Sequence, residues 1–221
     1  MIKSGEIQIN ARKFGVRDQQ IEKDYMLSWI LQGMAQHERL STYIQEETNI
    51  PLAVIENNEH RDGGINFYIS FVGPLGGSGS NKRVKVDISR SEQLQFEPVI
   101  CEAILIYSDQ QKHKLLCYPL EEVLVEKLRS VIQRMQARDF YDIWYLLEIH
   151  KMNVEFYMNE FIAKCESKGI SQTDFQVKLA QRLPQYKGRW KASMADQIQN
   201  LPDFEQVERE VMRHLKSWCR I

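Results

Sequence analysis

The chain has 221 residues, 43% of them hydrophobic, enough apolar surface for one domain of ordinary size or two small ones sharing an interface. Its 29 Lys plus Arg against 30 Asp plus Glu leave the net charge near zero, which excludes a global field drawing the protein to nucleic acid or membrane; any such contact is local. The N-terminal stretch MIKSGEIQINARKFG has no apolar core of signal-peptide length and nowhere do 18 apolar residues run together, so a cytoplasmic protein that does not engage a membrane is expected.

The first predicted element is a helix from Asp18 to His37, DQQIEKDYMLSWILQGMAQH. Asp18 is placed to cap it, Glu22 sits in its first turns, and Ile21, Tyr25 and Trp29 with Leu27, Leu31 and Met34 give a broad buried side. A shorter helix, TYIQEETN, follows Ser41 and is stopped by Pro51. From Pro51 to Ser89 the period changes to alternation, with turn clusters at Asn57–Gly64 and Gly73–Asn81, which predicts three antiparallel strands. The run EPVICEAILIYS extends that sheet or crosses its edge.

From Pro119, a suitable first helical residue, the pattern is helical to the end. Leu120, Leu124, Leu128, Val131 and Met135 share one face up to about Ala137, a second helix starts at Asp139, and others are predicted at 154–167, 172–182 and 203–219. Phe156, Phe161, Tyr186, Trp190, Phe204 and Trp218 are expected to fill the helical core rather than to stack on bases. Cys101, Cys117, Cys165 and Cys219 show neither zinc spacing nor a disulfide framework and are read as reduced packing residues. The fold class is therefore α+β, an α/β region over 1–118 with a small, mostly antiparallel sheet, followed by an all-helical half over 119–221.

Two constellations carry chemistry. In GPLGGSGSNKRVKVDISR, Gly77-Ser78 is the kind of pair that cradles a phosphate, but too few residues follow for a helix, so the glycines are read as a turn. The strand after it places Arg83, Lys85, Asp87 and Ser89 on one face, so a carboxylate lies between cations; this is either a solvated face with ion pairs or a lone metal or phosphate position. In the helix after Pro119, Lys127, Ser130 and Arg134 lie along one flank of the apolar stripe, where two cations suit a triphosphate. Asp139 and Asp142 follow Arg138, and the spacing fits either an acidic capping arrangement or a functional pair.

Three segments in this order, IEKDYMLSWIL (21–31), VGPLGGSGSNKRVKVDIS (72–89) and YPLEEVLVEKLRSVIQRMQARDFYDIWYLL (118–147), resemble the AbiEii/AbiGii family of nucleotidyltransferase toxins of abortive-infection toxin–antitoxin pairs. The last, with L-x-x-E-K-L-R, then Arg, then R-D-x-Y-D, is the most specific. The resemblance implies a nucleotidyltransferase palm, transfer of nucleotides from a nucleoside triphosphate to tRNA 3′ ends with Mg²⁺, and a cognate AbiEi-type antitoxin. It implies catalytic roles for Asp87, Lys127, Asp139 and Asp142, nucleotide contacts from Lys85 and Arg134, and Asp87 as the metal ligand and third palm carboxylate. Glu22, Lys23 and Asp24 match the family's first helix and are read as packing and ion-pair residues.

The sequence departs from the family at one place. A G-G-[ST] turn with a D-x-D strand belongs after the first helix, where AQHERL runs directly into STYIQEETN. The palm is then truncated and its transfer activity is put in question, because two-metal chemistry needs carboxylates converging on the ions. The alternative reading is a non-catalytic remnant that binds antitoxin or RNA.

Overall fold

The computed structural model describes residues 1–36, 40–59, 64–77, 82–89, 91–134, 136–173, 175–216 and 218. The architecture is α+β: small antiparallel sheets in the N-terminal half, then a helical C-terminal half. The chain divides into two compact units, residues 1–92 with 100–117, and residues 93–99 with 118–221.

The first unit opens with α1 (Ser4–Phe14), an element the sequence reading did not anticipate. Its apolar stripe is narrow, Ile7 and Ala11 being its buried hydrophobics, and Gly15 ends it at φ 64 with its N–H on the Ala11 and Arg12 carbonyls. Helix α2 (Asp18–Gln36) starts at Asp18 itself, so Asp18 occupies the first turn instead of the cap position; His37 lies outside the described residues. The buried stripe of α2 is Ile21, Tyr25, Met26, Trp29 and Ile30, whereas Leu27 and Met34, expected on it, are exposed. At 100° per residue those two fall on the opposite side of the helix. Helix α3 (Leu40–Thr48) ends where the Thr48 hydroxyl donates to the Ile44 carbonyl and accepts the Ile50 N–H.

Strands β1 (Leu52–Glu59), β2 (Ile65–Phe71) and β3 (Arg83–Ile88) form one antiparallel sheet in that order, as the alternation predicted. The register sets Val84 opposite Ile69 and Asp87 opposite Asn66. Ile69, Phe71 and Val84 turn inward to join the α2 stripe in this unit's core. The run containing Val99 does not extend this sheet: β4 (Val99–Glu102) pairs with β5 (Lys114–Cys117) in a separate two-stranded sheet, and β5 packs on α2.

The second unit holds α4 (Leu120–Gln133), α5 (Ala137–Trp144), α6 (Met158–Ser167), α7 (Phe175–Met194) and α8 (Phe204–Leu215), with a π turn at Tyr145–Ile149 and a 3-10 turn at Val154–Tyr157. Helix α4 stops earlier than expected, because Arg134 leaves helical geometry at φ −121 and ψ 154, and α5 begins two residues before Asp139. Helix α7 runs through Pro184 well past the expected end at 182. Of the six aromatics assigned to the core, Phe161, Tyr186, Trp190, Phe204 and Trp218 are buried, while Phe156 is 75% exposed.

Segment 93–99 belongs to the helical unit for a specific reason. The Glu122 carboxylate, itself buried, accepts the Gln95 and Phe96 N–H groups at 2.7 and 3.0 Å. Lys164, equally buried, donates to the other Glu122 oxygen at 2.7 Å and to the Gln93 carbonyl at 2.9 Å. Cys165 is buried as expected, Cys101 is exposed, and Cys219 lies outside the described residues. Among the described residues no helix is long and apolar enough to cross a membrane.

Candidate functional site

The helical unit gathers four of the predicted site residues at the α4–α5 bend. Leu124, Val125, Leu128, Val131 and Ile132 bury one side of α4, which leaves Lys127 at the margin of the stripe with a side chain 21% exposed. Its Nζ donates to Asp139 Oδ1 at 2.9 Å and pairs with Asp142 Oδ2 at 2.6 Å. Arg134, in the bend, donates from Nε to Asp139 Oδ2 at 2.8 Å and from Nη2 to Asp139 Oδ1 at 3.0 Å. Asp139 is fully buried and receives all three bonds, whereas Arg134 keeps 53% of its side chain in solvent.

These contacts decide the charge states. Burial alone would push Asp139 up, but the Arg134 and Lys127 hydrogen bonds together outweigh it and hold the carboxyl below its usual range. Burial likewise opposes the charge on Lys127, and the bonds to Asp142 and Asp139 overcome it, so the ammonium loses its proton only above its ordinary range. The Asp139 bond does the same for Arg134. All three are thus fixed charges near neutrality, and their chemical use is electrostatic; they are not groups that exchange protons there.

Of the two readings left open for Asp139, capping is not what the structure shows. Its oxygens lie on the two cations, and the cap position of α5, Gln136, makes no side-chain cap bond. Ser130, expected on the cationic flank, is instead fully buried and donates to Glu126 at 3.3 Å.

The bend has a support that the sequence did not reveal. Tyr186 of α7 donates its hydroxyl to the Val131 carbonyl at 2.7 Å and reaches the Arg134 carbonyl at 3.3 Å, which occupies acceptors at the end of α4. Its ring stacks on Phe140 at 5.7 Å, and burial pushes its phenol up to about 12. No local pattern links residues so far apart in the chain, and Tyr186 carries no signal beyond its apolar spacing.

The first unit carries the other constellation. Asp87 on β3 has a 59% exposed side chain, and Lys85, two residues before it on the same face, holds Oδ2 at 2.9 Å. Tyr68 and Asn66 of β2 stand opposite Lys85 and Asp87 in the register. The loop before β3 is a turn as expected: Gly76 and Gly77 have φ of 68 and 79, and the Gly76 N–H bonds the Gly73 carbonyl at 2.9 Å. Ser78 lies outside the described residues.

That loop is pinned from α2. Glu22 is 1% exposed and accepts the Leu75 N–H at 2.7 Å and the Lys82 ammonium. A β-carbon on Gly73 would come to 2.7 Å from Glu22 Oε1, so a side chain there would displace the Glu22 carboxylate from its partners. Asp24 accepts the Tyr107 hydroxyl at 2.7 Å, and burial first, then Asp24, drives that phenol far up. Glu22 and Asp24 are therefore structural anchors within the first unit.

A Mg²⁺ pair is the group the family chemistry implies, and the donor set does not fit it. Mg²⁺ wants near-octahedral oxygen ligands, and a pair needs carboxylates that bridge both ions. Asp87 is a single carboxylate already paired with Lys85, and among the described residues no three of His, Cys, Asp and Glu gather where they could hold a metal ion.

No curated protein and no solved structure matches the chain. The family model described as nucleotidyl transferase AbiEii toxin, type IV TA system, matches residues 34–210, well over half of the sequence and including both constellations. The chain therefore belongs to the AbiEii family of nucleotidyl transferase toxins, which implies a nucleotide substrate and a cognate antitoxin.

Proposed function

We propose that the chain engages the phosphates of a nucleoside triphosphate through Lys127 and Arg134, held in place by Asp139 and Asp142, as an AbiEii-type toxin acting on tRNA 3′ ends under restraint by an AbiEi-type antitoxin. The observation that carries this reading is the buried Asp139 carboxylate, which keeps both cations charged and fixed while half of Arg134 faces water. Donors fixed in advance need no reorganisation when charge arrives, and the guanidinium fork matches phosphate oxygens. Lys85 is the corresponding cation of the first unit, half exposed beside Asp87. Asp142, with a 37% exposed side chain, is the accessible carboxylate of the helical network.

Bound Mg²⁺ would neutralise developing charge on the transferring phosphoryl group. Asp87 alone does not make that site, so the contribution assigned to this chain's own residues is phosphate recognition. The same observation favours a second reading, a nucleotide- or RNA-binding module without transfer.

One experiment separates the readings. The purified protein is incubated with tRNA, Mg²⁺ and each labelled nucleoside triphosphate, beside Asp87→Ala and Lys127→Gln, while nucleotide binding is titrated in parallel. Transfer that both substitutions abolish supports the toxin reading. Nucleotide binding without transfer, weakened by Lys127→Gln and untouched by Asp87→Ala, supports the module. A folded protein that binds no nucleotide sinks both.

A further inference from the structure

Helix α7 is the most one-sided element in the helical unit. Between Phe175 and Met194 it carries Lys178, Arg182, Lys187, Arg189 and Lys191 and no Asp or Glu. Phe175, Leu179, Tyr186, Trp190 and Met194 bury one face. At about 100° per residue, Lys178, Arg182 and Arg189 fall within about 40° of one another beside that face, and Gln185 and Gln181 lie about 20° and about 60° beyond Lys178 on the solvent side. At about 1.5 Å per residue the band is about 16 Å long.

The band lies on a definite side. On the opposite flank of α7, Lys187 pairs with Glu205 of α8 at 2.7 Å, so acidic groups answer the cations there. On the near flank, Tyr186 ties α7 to the Val131 and Arg134 carbonyls, and the charges of Arg182 and Arg134 both bear on that hydroxyl. The cations of α7 therefore continue from the bend that holds Lys127, Arg134 and Asp139. Lys178 is anchored on the Ser171 and Thr173 carbonyls at 2.8 and 2.6 Å, and Arg182 on the Lys178 carbonyl at 3.2 Å. Gln181, Gln185 and Arg189 are exposed.

We infer that the Lys178–Arg182–Arg189 band of α7 is a docking surface for an RNA backbone, running up to the Lys127–Arg134 site. It rests on the reading of that site as acting on an RNA end. Charge complementarity selects the occupant: a ridge of one sign with amide side chains along its solvent side suits phosphates and ribose hydroxyls. The band contains no large apolar side chain of the kind that forms the centre of a protein interface.

The test is anisotropy of 5′-labelled tRNA across a salt series, with nucleoside triphosphate binding measured on the same samples. Two variants are used: Lys178→Gln/Arg182→Gln/Arg189→Gln, and Gln181→Glu/Gln185→Glu, which adds opposing charge without removing a native contact. Near 0.1 M salt the first should weaken tRNA binding by roughly tenfold or more and flatten the log–log salt slope by roughly two. The second should weaken it by roughly threefold or more, with triphosphate binding unchanged in both. If both variants bind tRNA as the parent does, the surface is wrong and the Lys127–Arg134 reading stands. If the parent binds triphosphate but no tRNA, the surface and the RNA acceptor fall together. Displacement of tRNA by polyglutamate at equal charge would replace RNA with an acidic polymer as occupant.

Discussion

Asp139 has no exposed surface, accepts three hydrogen bonds and faces two cations, so its neighbours can be ranked by what their loss would leave behind. Asp139→Asn removes the charge on which both cations converge, but Lys127 keeps Asp142 and Arg134 is half in solvent, so it should cost about 1.5–3 kcal/mol of the helical unit's stability, the range for hydrogen bonds to a charged group. Lys127→Met leaves Asp139 to Arg134 and should cost about 2–3 kcal/mol, whereas Asp142→Asn, at an exposed partner, should cost about 1 kcal/mol or less. Urea denaturation of the three variants checks the order. The pH dependence follows from the directions of shift. Asp139 is depressed, so its stabilisation is complete above the ordinary value of 3.8 and is lost as pH falls through the folded value. Lys127 is raised, so its contribution is complete below 10.5 and is lost as pH rises through its folded value. Stability from this network is accordingly flat through neutrality, and acid titration of Asp139→Asn should show a shallower loss below about pH 4 than the parent. Helical spacing placed Lys127 and Arg134 on one flank, while for Asp139 and Asp142 it left capping open, and only the family resemblance grouped the four as site residues. The contribution of Tyr186 was not legible, because it depends on a contact between α7 and the end of α4.

The glycine loop before β3 illustrates how an element acquires a conformation that its own residues do not specify. Glycines at 76 and 77 permit the left-handed turn, but Glu22, from a different element, holds it through Leu75 and Lys82. Glu22→Gln should keep the helix and speed exchange of the Leu75 amide by roughly tenfold, a change of about 1.4 kcal/mol in local opening; amide exchange read by NMR is the measurement. Gly73→Ala should cost about 1–3 kcal/mol, since Glu22 is held by two partners and has little room to yield. Segment 93–99 is a second case: Lys164→Met leaves Glu122 buried with only backbone donors and should cost about 3–5 kcal/mol in thermal or urea unfolding. In both cases an acidic residue that reads as ordinary helix surface is in fact buried. Helix α7 shows the reverse, for Pro184 marks an end in sequence terms, yet buried residues on both sides of it carry the helix through.

Each unit has its own hydrophobic cluster, one built on Ile21, Tyr25, Trp29, Ile69 and Phe71, the other on Leu128, Phe140, Phe161, Tyr186 and Phe204. Calorimetry should therefore resolve two transitions, with Lys164→Met lowering one and Glu22→Gln the other; a single transition shifted equally by both would overturn this division. The sequence by itself determined the α+β class, the three strands and the helical second half. Those features rest on period, turn chemistry and short spacings, which are local and survive in one dimension. Tertiary structure alone decided that Asp139 is a buried counter-ion to two cations, that Glu22 and Glu122 fasten other segments, that β4 leaves the first sheet, and that Asp87 is exposed and paired with Lys85. Each of these depends on which distant groups share a site, and the state of a charge is set by its burial and its partners, neither of which is written in the residues adjacent to it.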